Sequence, residues 1–224
     1  NWFNGASVSY DGKGRLQGWE LNPNLGFNLQ KNTFINLWGG VGHERIYEDE
    51  FGLARNANRL GEFFGDPLRK ATQYWLGGYV YKQFNKNFLM EVNGGHTWNS
   101  YDFDFGAGPL FPRVSPSAMN GDGRLDPGTG KSFNIGIFAQ YKPINPLTTS
   151  FSFNKSRLVR NDTGETAFDT NIFSSRTTYQ FTRFIFTRVR WDYDTLSRNA
   201  RGQMLFGWNP NPGTAFYAGY NDSF

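Results

Sequence analysis

The chain has 224 residues, a formal net charge of +4 and 38% hydrophobic residues, yet aromatics make up 18% of it. Its mean hydropathy is -0.60, and the absence of any run of about 18 apolar residues excludes a transmembrane helix. There is no cysteine, which removes disulfides and thiolate metal sites, and basic residues are interleaved with acids, which argues against nucleic acid as a partner.

Asn1-Trp2-Phe3-Asn4 has neither a basic start nor an apolar stretch, so a signal peptide was removed or the chain is a piece of something longer. Residues 1–10 read as a strand closed by Asp11-Gly12-Lys13-Gly14. In the next strand Trp19, Leu21, Leu25, Phe27 and Leu29 alternate with Glu20, Asn22, Asn24, Gly26 and Asn28. Pro23 lies inside it and removes a ladder donor, which predicts a bulge or an edge. Lys31-Asn32 is a two-residue turn, and residues 33–47 return, with Gly39, Gly40 and Gly42 marking a bend or a close approach to the wall.

A long connection over 48–66 leads to strands at 73–84 and 88–101, joined at Asn85-Lys86. A second, rich in Gly, Pro, Asp and Asn, covers 102–130. Phe133, Ile135, Ile137, Ala139 and Tyr141 resume the alternation, and Pro143-Ile144-Asn145-Pro146 turns the chain. The pattern is plainest over 147–194. Thr149, Phe151 and Phe153 oppose Ser150, Ser152 and Asn154; Phe173, Thr177 and Tyr179 oppose Ser174, Arg176 and Thr178; Ile185, Val189, Trp191 and Tyr193 oppose Arg188, Arg190, Asp192 and Asp194. Loops are expected at 161–169 and 195–201, then short strands around Met204-Trp208 and Phe216-Tyr220 flanking Asn209-Pro210-Asn211-Pro212-Gly213.

Period-two segments of about ten residues match a tilted strand crossing a bilayer. The fold expected is all-β, an antiparallel transmembrane β-barrel with about eleven strands visible, forming one domain over 1–224 and part of a larger barrel. Connections alternate short and long. Turns at Lys31, Asn85, Ile144, Arg183 and Pro210 therefore face the periplasm and the long loops face outside, in a bacterial outer membrane. Aromatics then gather low (Phe34, Phe84, Phe88, Tyr141, Phe181, Phe184, Trp208) and high (Trp19, Tyr74, Trp98, Phe133, Trp191, Tyr193, Tyr220) as two girdles. An odd strand count implies that at least one closing strand is absent.

Arg176, Arg188 and Arg190 share the inward parity with Asp192, Asp194, Glu91 and Glu20. Inward charges either select ions or pair across strands and plug the lumen, and their mixed signs favour pairing. Inward asparagines (Asn22, Asn24, Asn28, Asn36, Asn93, Asn99, Asn134, Asn154) suit a wet interior. Asn120, Asp122 and Asp126 space oxygen ligands as a calcium loop does. Arg124 stands at a ligand position and no glutamate closes the site, so a Gly/Asp-rich surface loop is the competing account. His43 and His96 fall on the lipid side, without a catalytic partner, and no enzyme is expected. Lys155, Arg157 and Arg160 lie where lipopolysaccharide phosphates or plain solvent would meet them.

The segments 151–158, 168–172, 179–182 and Gly207-Trp208-Asn209-Pro210-Asn211-Pro212-Gly213-Thr214, with Tyr220-Asn221-Asp222, resemble the C-terminal barrel domain of an uncharacterised bacterial outer-membrane family. Its members often carry an N-terminal family 9 carbohydrate-binding-like module. The resemblance implies an upstream module and a terminal strand beyond this chain, and supplies no site residues. Two functions are expected from the whole: a pore or transport component for small polar solutes, or a non-conducting anchor presenting a binding module or partner proteins at the surface.

Overall fold

A computed structural model describes residues 2–51, 68–101 and 128–223. The loop residues Asn120, Asp122 and Asp126 lie outside these. Eleven strands are formed: β1 (Trp2–Tyr10), β2 (Leu16–Leu29), β3 (Thr33–Tyr47), β4 (Leu68–Asn85), β5 (Phe88–Tyr101), β6 (Thr129–Ile144), β7 (Leu147–Arg160), β8 (Thr166–Gln180), β9 (Ile185–Asp194), β10 (Asn199–Asn211) and β11 (Thr214–Ser223). A short 3-10 turn, Glu48–Phe51, follows β3. Each strand pairs antiparallel with the next in one sheet ordered β1 to β11. Among the described residues no ladder joins β1 to β11, so the sheet is open.

Turn chemistry explains the meander. Lys31 and Asn32 both adopt left-handed backbone (φ 59° and 52°), the mirror-image turn whose twist matches that of its flanking strands. Two connections are shorter than the sequence suggests. The loop expected over 161–169 is a turn of 161–165, and the one expected over 195–201 is 195–198. In the second, Asp194 closes the turn by accepting from Leu196 N and Ser197 Oγ, both at 2.9 Å, and Arg198 supplies a left-handed residue at φ 53°. Polar side chains hold these corners through local hydrogen bonds, so a polar stretch that reads as loop becomes a tight reversal.

Pro23 makes neither a bulge nor an edge. It stands opposite Asn4 in an interior strand, and the β2–β3 register is the same on either side of it, Leu21 against Val41 and Asn24 against Trp38. The missing donor costs local ladder bonds but not register. One of the sheet's register shifts lies instead at Asn99, between Trp98 and Ser100, where φ is 59°. Asn99 therefore leaves the inward set. Its Nδ2 donates to the Thr72 carbonyl at 2.8 Å and its Oδ1 accepts from Asn161 at 3.0 Å.

Directly opposed residues on neighbouring strands point to the same side, so the registers sort the two faces across the whole sheet. One unbroken row runs Phe27, Ile35, Val80, Val92, Ile137, Phe153, Phe173, Tyr193 over eight strands. This face is uncovered: Leu76 is 62% exposed, Met204 55% and Val189 47%. His43 and His96 lie on it, opposite Trp19 and Phe133 respectively. Among the described residues the buried apolar side chains are Ile46, Tyr101, Leu158 and Ala167, all toward the strand ends away from the Lys31-Asn32 turn. An antiparallel sheet in water buries one face against another layer, and no second layer exists among the described residues.

Candidate functional site on the polar face

The opposite face carries Glu20, Glu44, Gln73, Asn93, Asn134, Asn154, Arg176, Arg188, Arg190 and Asp192 in register. The arginines, Asp192, Glu91 and seven of the eight asparagines stand on one face of the sheet, Asn99 being the exception. Asn24 and Asn36 form a reciprocal amide pair at 3.1 and 2.8 Å, which satisfies both side chains on the wall.

The first region of this face lies on β1–β5 and holds residues that alternation alone does not advertise. Phe34, Trp38, Trp75, Tyr79 and Tyr81 all point to the polar side. Phe34 thus leaves the low girdle in which its position near the strand end placed it. Gly40 stands opposite Trp75, and a Cβ on it would meet the indole at 2.4 Å; Gly77 stands opposite Trp38, where the gap would be 2.5 Å. Each indole therefore lies down on a glycine of the neighbouring strand, which is the close approach the glycine-rich stretch suggested. Beside Trp75 is a concavity of about 660 Å³ with Glu20, Glu44 and Gln73 in its wall. Gln73 Nε2 donates to Glu44 at 2.5 Å and Ser7 Oγ to Glu20 at 3.1 Å. Glu91 hydrogen-bonds Tyr79.

The second region lies on β7–β11. Ser150, Arg176, Arg190, Gln203 and Asn221 form one continuous row across five strands. Arg176 and Arg190 are thus directly opposed like charges, an arrangement that destabilises a sheet. Arg190 Nε reaches Asp192 Oδ2 at 2.7 Å, and Asp192 also accepts from Ser174 Oγ at 2.5 Å. The same carboxylate draws on Arg176 only at longer range. Arg188 sits diagonally next to the row, against Leu205, with its guanidinium 5.7 Å from the Phe186 ring centre. Its Nε is buried and meets no hydrogen-bond partner among the described residues. These side chains line a concavity of about 530 Å³.

The mixed signs in the sequence favour pairing across strands; among the described residues Arg190 is ion-paired to Asp192, two positions along its own strand. Glu91 is three strands from Arg176 in the sheet order, a separation of roughly 14 Å at the usual strand spacing.

At the loop end, basic residues pair locally. Lys155 Nζ is 2.5 Å and Arg157 Nε 3.7 Å from Asp169, and Arg160 is buried. Lys13 and Arg15 clamp Asp49 of the 3-10 turn. Hydrogen bonds from Lys13 and then Arg15 pull the Asp49 carboxyl down to about 2. Arg15 also stacks over Tyr47 at 3.8 Å and donates through Nε to Asp11 at 2.6 Å.

No group of three or more His, Asp or Glu side chains that could hold a metal ion occurs among the described residues. No protein-family model matches this chain and no curated protein matches it, so the functional reading rests on the two faces of the sheet.

Proposed function

We propose that the chain forms the wall of a Gram-negative outer-membrane β-barrel and acts as a pore or transport component for small polar solutes. The observation that carries this is the unbroken apolar row from Phe27 to Tyr193 on an uncovered face, backed by an opposite face that carries the charged and amide side chains. In water such a face is a liability, since exposed apolar patches of this extent drive association. Against lipid it is the required surface, provided that the edges of the sheet are paired and every backbone group is satisfied. The polar face then lines the interior, where Arg176, Arg188 and Arg190 give a preference for anions.

Single-channel recording of the full-length protein in a planar bilayer at high salt, with reversal potentials, tests the proposal. Steady open conductance with anion preference is expected. An inserted but silent barrel sinks the pore and leaves the anchor, which presents a binding module or partner proteins at the surface. The anchor has one observation in its favour: Trp38, Trp75, Tyr79 and Tyr81 crowd the polar face of β4 and its neighbours and narrow any lumen.

A further inference from the structure

We infer that Arg176, Arg188 and Arg190, with the amides of Gln203 and Asn221, form a binding subsite for a small doubly charged oxyanion. The inference deepens the pore reading, on which it rests for access from solution, by naming a solute class. Three guanidinium groups are gathered on β8 and β9, and among the described residues the carboxylate hydrogen-bonded to them, Asp192, engages Arg190. Two positive charges are left to be met by something else. Opposed arginines repel unless an anion lies between them. Arg188 adds a buried Nε with no hydrogen-bond partner among the described residues, a donor whose desolvation is uncompensated unless a ligand accepts from it.

The row geometry gives the site its shape. Arg176, Arg190, Gln203 and Asn221 follow one another across four strands, spanning roughly 14 Å at ordinary strand spacing. Guanidinium forks at one end bind the oxyanion in bidentate fashion, and the two carboxamides continue the line with donors and acceptors for the rest of a small molecule. Gly219, facing Leu205 beside the row, keeps the edge of the concavity free of a side chain. Phosphate groups and paired carboxylates share this chemistry.

The test is isothermal titration calorimetry on the full-length protein refolded in detergent, at about 0.15 M chloride, where weak surface attraction is largely screened. The probes are inorganic phosphate in one arm and succinate in the other. Saturable binding of phosphate alone assigns a phosphoryl ligand and binding of succinate alone a dicarboxylate, and either result or both supports the site. Arg188→Gln should weaken the bound probe at least tenfold. Arg176→Gln should do the same while raising the thermal denaturation temperature, because it removes the like-charge pair; that combination distinguishes a ligand site from a structural cluster, and the variant keeps the fold. Absence of saturable binding to either probe, or affinities unchanged in both variants, overturns the inference. Binding without conductance would sink the pore but not the subsite, and conductance without binding would sink the subsite alone.

Discussion

The two ends of the polar face obey the same alternation and do opposite things with it. Over β3–β5 large rings on the polar face are laid on glycines, so Trp75 rests on Gly40 and Trp38 on Gly77, and the nearby acids are held by neutral donors such as Gln73, Ser7 and Tyr79. Over β8–β10 the same parity carries long cationic side chains, of which one is ion-paired among the described residues. The first region lays its rings against its own wall, beside the concavity of about 660 Å³. The second keeps like charges directly opposed, at a cost in stability.

What the two regions share is the apolar face behind them, and the largest effect should come from breaking it. Val80→Arg places a charge in the apolar row between Ile35 and Val92. It should cost about 2–4 kcal/mol in a bilayer, read as a shifted denaturant midpoint in liposomes, whereas a water-soluble sheet would gain solubility from the same change.

The packed region is probed at Gly40. A Cβ there meets both the Trp75 indole and the Leu21 carbonyl at 2.4 Å, and a backbone oxygen cannot swing aside. Gly40→Ala should therefore destabilise by about 1–3 kcal/mol, while Gly202→Ala, with open space around it, should leave the denaturation midpoint unchanged or slightly raised. Equal effects at the two glycines would argue against the close seating of Trp75 on Gly40. In the charged region Arg176→Gln should go the other way and stabilise by about 0.2–1 kcal/mol, seen as a higher midpoint in the same titration.

The smallest effect belongs to the loop end. Asp49 falls from the ordinary aspartate value of 3.8 to about 2, so its contribution is present above the ordinary value and lost as pH falls through the lowered one. Acidification from about pH 4 to about pH 2 should release the Glu48–Phe51 turn from Lys13 and Arg15, read as faster amide exchange in that turn and unchanged protection in β8–β10.

Much of this fold was legible beforehand because alternation is a local property. The eleven strands, the side on which Phe151, Val189 or Arg190 stands and the hairpin at Lys31-Asn32 each follow from a few adjacent residues. Connection lengths were less legible, since Asp194 and Arg198 make a tight corner out of a stretch whose composition reads as loop. Pro23 misled for a related reason. Its effect depends on how many ladder bonds hold β2 in register on both sides, and a single strand does not carry that information.

The sequence by itself determined the strands, their two faces and the polarity of each, because successive side chains on an extended chain must point to opposite sides. Only the tertiary structure decided which residues stand opposite one another. The Arg176, Arg190, Gln203, Asn221 row and the seating of Trp75 on Gly40 join residues far apart in the chain, and they arise from cross-strand register, which is fixed by the summed pairing of whole strands and not by any local pattern.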